Sequence, residues 1–270
     1  AACSSAGRNE CFVPAGTPQL EDAALYAGSA ADLLIELAER HAGALEVYAI
    51  AAFSPIAAAI EGSSERLEIL RRGIRALYIQ GQCRIEDDRL RPDFAAFNLA
   101  EDTHAAEVVF ESLQDAVPFR ILGKHAAYQV SLLRSDFAAW DRFLGSDEMT
   151  QSAKENMNVF RKGNPDKFYE LYPIPEQYRN DEEWFQHMNE FSHPYDPLLL
   201  LSAFRPGIFE ESTCGTSAIL QKHTTIGNTA DAPGVRDARL AQATLCELIG
   251  QGVRAIAASG GPPGEQSSHL

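Results

Sequence analysis

Two segments of the sequence place polar side chains directly before or at a predicted helix start. The first is Phe94-Ala-Ala-Phe-Asn98-Leu-Ala-Glu-Asp102, which ends in an acid just before the helical pattern of residues 103–114. The second is Tyr195-Asp196-Pro197 followed by four leucines. Asp102 is predicted to cap its helix, because a side-chain oxygen there accepts from free backbone N–H groups and its charge meets the positive end of the dipole.

Motifs for several other kinds of chemistry are missing from the sequence. It has no G-x-G-x-x-G, no P-loop and no G-x-S-x-G, so dinucleotide binding, phosphate-loop chemistry and a serine nucleophile elbow are not predicted. No C-x-x-C pair occurs among its five cysteines, which argues against a zinc site. Five histidines are not at ligand spacing and are interpreted as surface or capping residues; these are His104, His125, His187, His193 and His223.

The two polar segments together resemble the later motifs of the inosine-uridine preferring nucleoside hydrolase family. Enzymes of that family cleave the N-glycosidic bond of ribonucleosides with a calcium-bound water. The first segment resembles the Glu-Phe-Asn loop and the helix after it, and the second resembles the His-Asp-Pro-Leu helix start. The resemblance covers residues 10–125 and resumes around 190–210. It implies an α/β fold, with a mainly parallel sheet flanked by helices and a helical insertion.

The resemblance also implies a set of site residues. Asn98 and Asp196 match the positions that bind ribose hydroxyls, and Asp196 also matches a calcium ligand. Ser54 lies where the family's strand-to-helix turn gives a backbone carbonyl to calcium. Calcium takes six to eight oxygen ligands, so protein oxygens, ribose hydroxyls and a water can share one ion.

The sequence departs from the family at positions that are essential for the reaction. Ala96 replaces the ribose-binding glutamate, Leu90 replaces an asparagine, and Tyr195 replaces the histidine. The N-terminal D-T-D-x-x-x-D-D motif is not found, and the nearest doublet, Asp87-Asp88, is interpreted as a solvated acidic turn. No residue is therefore predicted to be catalytic.

Two functional hypotheses follow from these losses. The favoured one is a divergent, catalytically inactive relative that serves as a structural or interaction subunit of an assembly, with no cofactor. The alternative is a calcium-dependent ribonucleoside N-glycosidase with part of its site outside this chain. Protein partners are expected, and a nucleoside ligand is compatible with both hypotheses.

Composition limits the partners and the compartment. The net charge of −15 over 270 residues argues against direct binding to nucleic acid, which requires a basic surface, and predicts a partner with a basic rim. No apolar run reaches the length of a membrane span. The odd number of cysteines and the start without methionine favour a soluble protein in a reducing compartment, or in an organelle after removal of a targeting segment. Cys3 and Cys11 are interpreted as free thiols, with a disulfide as the alternative in an oxidising compartment.

The helical and strand patterns predict alternating elements in the centre of the chain. Predicted strands cover 45–52, 76–79 and 117–122. Predicted helices cover 30–42, 56–60, 65–72, 103–114 and 136–144. Ser29, with Asp32, is predicted to cap the first helix, and the last is predicted to be capped by Ser135 and stopped by Gly145. Strands separated by helices of about ten residues are typical of parallel β-α-β units.

Four regions are predicted along the chain. These are an irregular N-terminal segment (1–28), a nucleoside-hydrolase-like domain (29–255) with an aromatic helical insertion (146–192), and a flexible tail (256–270). The aromatic residues of the insertion form either a small satellite core or a lid or partner surface. For the second interpretation, the expected anchors are Trp184, Phe185 and Tyr178, since aromatic residues are enriched at the cores of interfaces.

Overall fold

A computed structural model describes residues 28–163, 165–171 and 173–258 of the chain. Residues 1–27 of the predicted irregular segment (1–28) lie outside the described residues. The same holds for residues 259–270 of the predicted tail (256–270). The described residues form two compact units. One contains 28–130 and 194–242, here called the sheet unit, and the other contains 131–193 and 243–258, here called the helical unit.

Short strands and longer helices alternate through most of the chain. The strands are β1 (Leu45–Ala49), β2 (Ile74–Gln80), β3 (Cys83–Glu86), β4 (Arg89–Pro92), β5 (Phe119–Leu122), β6 (Leu132–Leu133), β7 (Phe191–Ser192), β8 (Ser212–Thr213) and β9 (Thr224–Ile226). The helices are α1 (Ala30–Arg40), α2 (Ser54–Glu61), α3 (Ser64–Gly73), α4 (Phe97–Ala100), α5 (Thr103–Leu113), α6 (Lys124–Tyr128), α7 (Arg134–Leu144), α8 (Glu148–Gly163), α9 (Pro165–Leu171), α10 (Asp181–Met188), α11 (Tyr195–Phe204) and α12 (Ala238–Ala258). Within the described ranges, no helix combines the length and the apolar character needed to cross a bilayer.

The sheet unit is built on a mainly parallel sheet with the order β1-β2-β5-β9-β8. The four strands from β1 to β9 are parallel, and β8 alone is antiparallel to its neighbour. This arrangement confirms the predicted α/β fold class. The strands β8 and β9 were not predicted, because runs of two and three residues carry too little periodicity to be recognised in a sequence.

One face of this sheet carries the main hydrophobic core. Leu77 and Phe119 are fully buried on that face, where Phe110 of α5 packs between Phe53 and Phe119 with ring centroids 6.4 and 5.3 Å away. Burying a phenylalanine side chain of this kind contributes about 2 kcal/mol. The opposite face is more open, since the stacked rings of Tyr48 and Tyr78 are only half-buried.

The ends of the first helices follow the predicted capping chemistry. Ser29 and Asp32 form a reciprocal capping box at the start of α1, and Asp102 accepts from the backbone N–H of Ala105 at the start of α5. Gly145 ends α7 in the left-handed conformation with φ 69°, as predicted. The predicted cap Ser135 is wrong: α7 starts at Arg134, two residues before the predicted start, its N-cap is Leu133, and Asp136 accepts from the N–H of Leu133.

The acidic doublet forms the turn of a hairpin between strands β3 and β4. Asp87 and Asp88 both have positive φ, at 52° and 57°, as a two-residue turn between antiparallel strands requires. Both residues are exposed, which confirms the interpretation as a solvated acidic turn. The hairpin is fixed to α5 because Gln114 accepts from the N–H of Leu90 at 2.8 Å and donates to its carbonyl at 3.3 Å.

The aromatic residues of the predicted insertion mainly form a satellite core within the helical unit. Phe168 and Phe185 are 0% and 2% exposed, and the guanidinium of Arg161 lies 4.1 Å from the Phe185 ring centroid. This burial removes Phe185 from the surface on which it was expected to anchor a partner. Tyr178 and Trp184 remain half-buried, with their ring centroids 4.8 Å apart.

A buried histidine joins strand β5 to the segment that precedes β9. His223 is fully buried, and its Nδ1 accepts from the backbone N–H of Phe119 at 3.0 Å. Burial, with Lys222 nearby, lowers the pKa of His223 to about 4 from its usual 6.5. The neutral ring is thus the form that the folded protein retains.

We expect this histidine to make the fold sensitive to acid. Its folded-state pKa is depressed, so the unfolded chain binds the proton first and stability falls as the pH drops from 6.5 towards 4. The full shift corresponds to about 3 kcal/mol. Urea denaturation at several pH values checks this. The variant His223→Asn, which keeps an acceptor for the Phe119 N–H, should be less stable at neutral pH but should lose less stability on acidification.

The control for this experiment is His104→Asn. Glu61 accepts from this exposed histidine and raises its pKa, so its removal should not reduce the acid sensitivity. If the stabilities of wild type and His223→Asn fall in parallel between pH 6.5 and 4, His223 is not responsible.

Candidate functional site

The candidate site lies at the edge of the sheet where the parallel strands end. Ligands of open α/β sheets bind outside the carboxyl ends of the strands, since loops from several strands meet there. In this chain, the loops after β1, β2, β5 and β9 reach that edge. Polar side chains in or next to these loops include those of Ser54, Gln80, Gln82, His125 and Asn228.

Ser54 follows β1 and forms a hydrogen bond with the helix cap Asp102. Its hydroxyl donates to Asp102 Oδ2 at 2.6 Å. This hydrogen bond is the main cause of the lowered pKa of the Asp102 carboxyl, and the hydrogen bond from the backbone N–H of Ala105 adds to the shift. The resemblance gave Ser54 the role of a backbone carbonyl ligand. Ser54 is the first residue of α2, and its role as a calcium ligand stays a prediction.

Asn98, the first predicted ribose ligand, is bonded to the end of β2. Its amide nitrogen donates to the side-chain oxygen of Gln80 at 2.6 Å and to the Gln80 carbonyl at 3.3 Å. The residue is half-buried in the short helix α4. Its Nδ2 donor is therefore used within the protein, and the amide oxygen is the group left for a ligand.

Asp196, the second predicted ligand, lies in the first turn of α11, and this helix packs against β2. The carboxylate is half-buried, and burial raises its pKa. Among the described residues, no hydrogen bond or ion pair joins it to another side chain, including Ser54 and Asn98. The structure thus brings Ser54 and Asn98 to the sheet edge but does not join Asp196 to either of them.

An aromatic group lies beside Asp196 in the sheet unit. The ring of Tyr128 meets the rings of His125 and Tyr195 edge to face, at centroid distances of 6.2 and 6.0 Å. Burial lowers the pKa of His125, with Lys124 contributing. The resemblance implies a histidine at the position of Tyr195, and in this structure the Tyr195 ring is part of the aromatic group.

A side-chain clamp that the sequence did not reveal joins β9 to the start of the hairpin. The Asn228 amide accepts from the Cys83 N–H at 2.9 Å and donates to the Cys83 carbonyl at 2.8 Å. The buried Gln82 donates to the Asn228 carbonyl at 2.6 Å. The Thr-Thr-Ile-Gly-Asn run that ends at Asn228 was the available signal, since Gly-Asn after a short β-branched run marks a strand end.

Two glycines allow the ends of β5 and β9 to approach closely. A Cβ on Gly123 would lie 2.2 Å from the Gly227 carbonyl oxygen, and a Cβ on Gly227 would lie 2.3 Å from the Ala126 nitrogen. Gly227 also has a positive φ of 59°. The loops after these strands keep their positions because neither residue has a side chain.

Two positions at which the resemblance implies polar residues belong to the hydrophobic core. Leu90 is 0% exposed and Ala96 is 8% exposed. Within 28–163, 165–171 and 173–258, no group of three or more His, Cys, Asp or Glu residues could hold a metal ion. The described residues therefore do not fit calcium, which needs several oxygen ligands in one place.

Comparison with solved structures identifies the fold. The type III effector protein XopQ, complexed with adenosine diphosphate ribose, superposes with a TM-score of 0.63 and 21% identity over 82% of this chain and 62% of its own. The effector protein XOO4466 gives 0.62 and 22% over 83% and 63%. The purine-preferring ribonucleoside hydrolase from Gardnerella vaginalis gives 0.58 and 14% over 85% and 68%.

These likenesses confirm the nucleoside-hydrolase-like fold that the sequence resemblance implied. The chain spans less than two thirds of the two effector structures, at 62% and 63% of their lengths. No family model matches the sequence, and no curated protein matches it.

The glycine contact generates a prediction about the sheet edge. Gly123→Ala should destabilise the protein by about 2–3 kcal/mol, because an added methyl group meets backbone atoms that cannot rotate away. The matched control is Gly207→Ala, since no heavy atom lies within 4 Å of a Cβ at that position. Thermal unfolding of both variants measures the difference, and equal melting temperatures would contradict the predicted close approach.

Proposed function

We propose that this chain is a divergent nucleoside-hydrolase-like domain that does not hydrolyse nucleosides and serves as a structural or interaction subunit of an assembly. The observation that carries the proposal is that polar side chains at the sheet edge form hydrogen bonds with one another. Ser54 donates to Asp102, and Asn98 donates to Gln80. These groups hold neighbouring elements together instead of leaving a cage of free oxygens.

The chemistry of N-glycosidic cleavage supports the loss of activity. Its transition state resembles an oxocarbenium ion, so the site must hold the sugar and supply an activated water. Losing a single transition-state hydrogen bond costs about 3–4 kcal/mol. In this chain Ala96, Leu90 and Tyr195 replace three of the residues that would form such a site.

The open side of the sheet supports a role in an assembly. Among the described residues, β1 pairs only with β2, so its other edge has no strand partner. Tyr48 and Tyr78 are half-buried, and Ile50 just beyond β1 is 41% exposed. Parallel sheets are usually covered on both faces and blocked at their edges, so a neighbouring protein would complete this side.

The alternative function is a calcium-dependent ribonucleoside N-glycosidase, which converts a nucleoside and water to ribose and base with part of its site outside this chain. One observation favours it: Asp196 is a half-buried carboxylate whose pKa is raised and which no described side chain partners. The XopQ structure is a complex with adenosine diphosphate ribose, which is a ribosyl compound. A ribose or a cation would supply the partner that Asp196 lacks.

The first test measures hydrolysis and calcium binding. The purified chain, incubated with inosine or uridine and millimolar calcium, should release no ribose above the buffer control, because the described residues do not form a calcium cage. Calorimetry with calcium chloride should give no micromolar site, since such affinity requires several carboxylates.

Two variants make this test decisive. Asp196→Asn removes the unpartnered carboxylate, and Asp115→Asn removes an acid that pairs with Arg89 instead. Calcium-dependent ribose release that is lost in Asp196→Asn and retained in Asp115→Asn would establish the alternative function and overturn the favoured one.

The second test concerns the open edge of the sheet. At low micromolar concentration, the chain should either associate beyond its 29.5 kDa mass in light scattering or bind an exposed-hydrophobic dye. Ile50→Lys should weaken the association or the dye binding, because it places a charge beside the β1 edge. The matched control is Ile85→Lys, at a position in the β3–β4 hairpin that is 52% exposed. A monomer that binds no dye would contradict the proposal.

A further inference from the structure

A groove in the helical unit lies between helices α7 and α12. Its volume is about 360 Å³, which falls within the range of pockets that hold small organic ligands. None of the described residues that line it belongs to the candidate site at the sheet edge. The groove therefore offers a second place for a ligand.

Uncharged groups line the middle of the groove. Trp140 is 4% exposed, and its Nε1 donates to the Cys246 carbonyl at 3.3 Å. A Cβ on Gly250 would lie 3.4 Å from Trp140 Nε1, so the missing side chain leaves space beside the indole. Burial, with Asp136 nearby, raises the pKa of the Cys246 thiol to about 11. The thiol thus stays protonated at neutral pH, and this part of the groove carries no charge.

Two contacts show that α7 and α12 run in the same direction along the groove. In the middle, Trp140 of α7 lies beside Cys246 and Gly250 of α12. Further along both helices, the Arg254 guanidinium lies 5.0 Å from the centroid of the Phe143 ring. Residues early in α7 therefore lie at the same end of the groove as the residues of α12 that come before Gly250.

The two ends of the groove carry opposite charge. Asp136 and Glu247 line the end where these stretches begin, and Arg254 lines the other end. Because an α-helix rises 1.5 Å per residue, Glu247 and Arg254 are about 10 Å apart along α12. Opposite charges attract and like charges repel, so a ligand with one positive group would place that group at the acidic end.

Both carboxylates retain capacity for a further donor. Asp136 Oδ2 accepts from the backbone N–H of Leu133 at 2.8 Å, and Glu247 Oε1 accepts from the side-chain amide of Gln251 at 3.0 Å. A carboxylate offers about four lone-pair sites on its two oxygens. An ammonium group suits this end of the groove, because it has three donors and hydrogen bonds between charged groups are the stronger ones.

We propose that the groove between α7 and α12 binds a small primary amine with an apolar body, of the arylalkylamine class. The ammonium group would bond to Asp136 and Glu247, and the carbon body would cover the Trp140 wall beside Gly250. Neither the nucleoside-hydrolase-like fold nor the proposed function requires this site. Its support is a groove of ligand size whose middle is uncharged and whose one end carries two carboxylates.

Three probes of similar size and different charge test the proposal. They are phenethylamine (cationic), 2-phenylethanol (neutral) and phenylacetate (anionic), each titrated into the full chain in a calorimeter. We expect saturable binding of phenethylamine with a Kd below about 1 mM. The other two should bind at least about tenfold more weakly, because they lack the charged donor. Equal affinity for phenylacetate, or no saturable binding of phenethylamine, would overturn the proposal.

Glycine variants locate the bound probe. Gly250→Ala should weaken phenethylamine binding, and Gly250→Leu should abolish it, because the added carbons occupy the space beside Trp140. The matched controls are Gly252→Ala and Gly252→Leu in the same helix, where no heavy atom lies within 4 Å of a Cβ. Alanine at a helical glycine does not disfavour folding, so Gly250→Ala is informative even if the leucine variant does not fold. Unchanged binding in Gly250→Ala would place the probe elsewhere and contradict the proposal.

A charge variant checks which end of the groove holds the ammonium group. Glu247→Gln should weaken phenethylamine binding by about threefold, the scale of one exposed ion pair, and should leave 2-phenylethanol binding unchanged. The matched control is Glu155→Gln, at an exposed position of α8 in the same unit that does not line the groove. An equal loss of phenethylamine affinity in both variants would show a general effect of net charge and would sink the assignment to this groove.

Discussion

The side-by-side pairing of the parallel strands β1, β2, β5 and β9 is the constraint on which the candidate site depends. Because these strands run in one direction, their carboxyl ends reach the same edge of the sheet. The packing of Phe110 against Phe119 holds α5 on one face and keeps Asp102 beside the turn after β1. The contact between Gly123 and Gly227 brings the last two loops together at that edge.

The polar groups at this edge mainly stabilise the fold. Each hydrogen bond between neighbouring loops satisfies a donor that would otherwise face a ligand or water. It therefore reduces the number of free polar groups that could bind a sugar or a cation. Asp196 is the exception, as a half-buried carboxylate with a raised pKa and no partner among the described residues. A fold shared with nucleoside hydrolases does not by itself decide the function, which depends on the groups present at the site.

The more open face and the unpaired edge of the sheet have the same physical origin. A parallel strand needs a neighbour on each side and a layer of side chains above and below it. The described residues cover one face of the sheet with α5 and its neighbouring helices, while Tyr48 and Tyr78 remain half-buried on the other. At the opposite edge of the same sheet, the antiparallel strand β8 pairs with β9.

The sequence by itself determined the fold class, the caps of α1 and α5 and the identities of Ala96, Leu90 and Tyr195, because these depend on local periodicity, local hydrogen bonding and residue type. The caps at Ser29 and Asp102 illustrate this, since each bonds to a residue three positions away. Only the tertiary structure decided that Asn98 is bonded to Gln80, that Asn228 clamps Cys83 and that Phe185 is buried. These contacts join residues that are distant in sequence or depend on how helices pack, so a local sequence pattern cannot predict them. The short strands β8 and β9 belong to the same group, since their few residues become strands only by pairing with a neighbour.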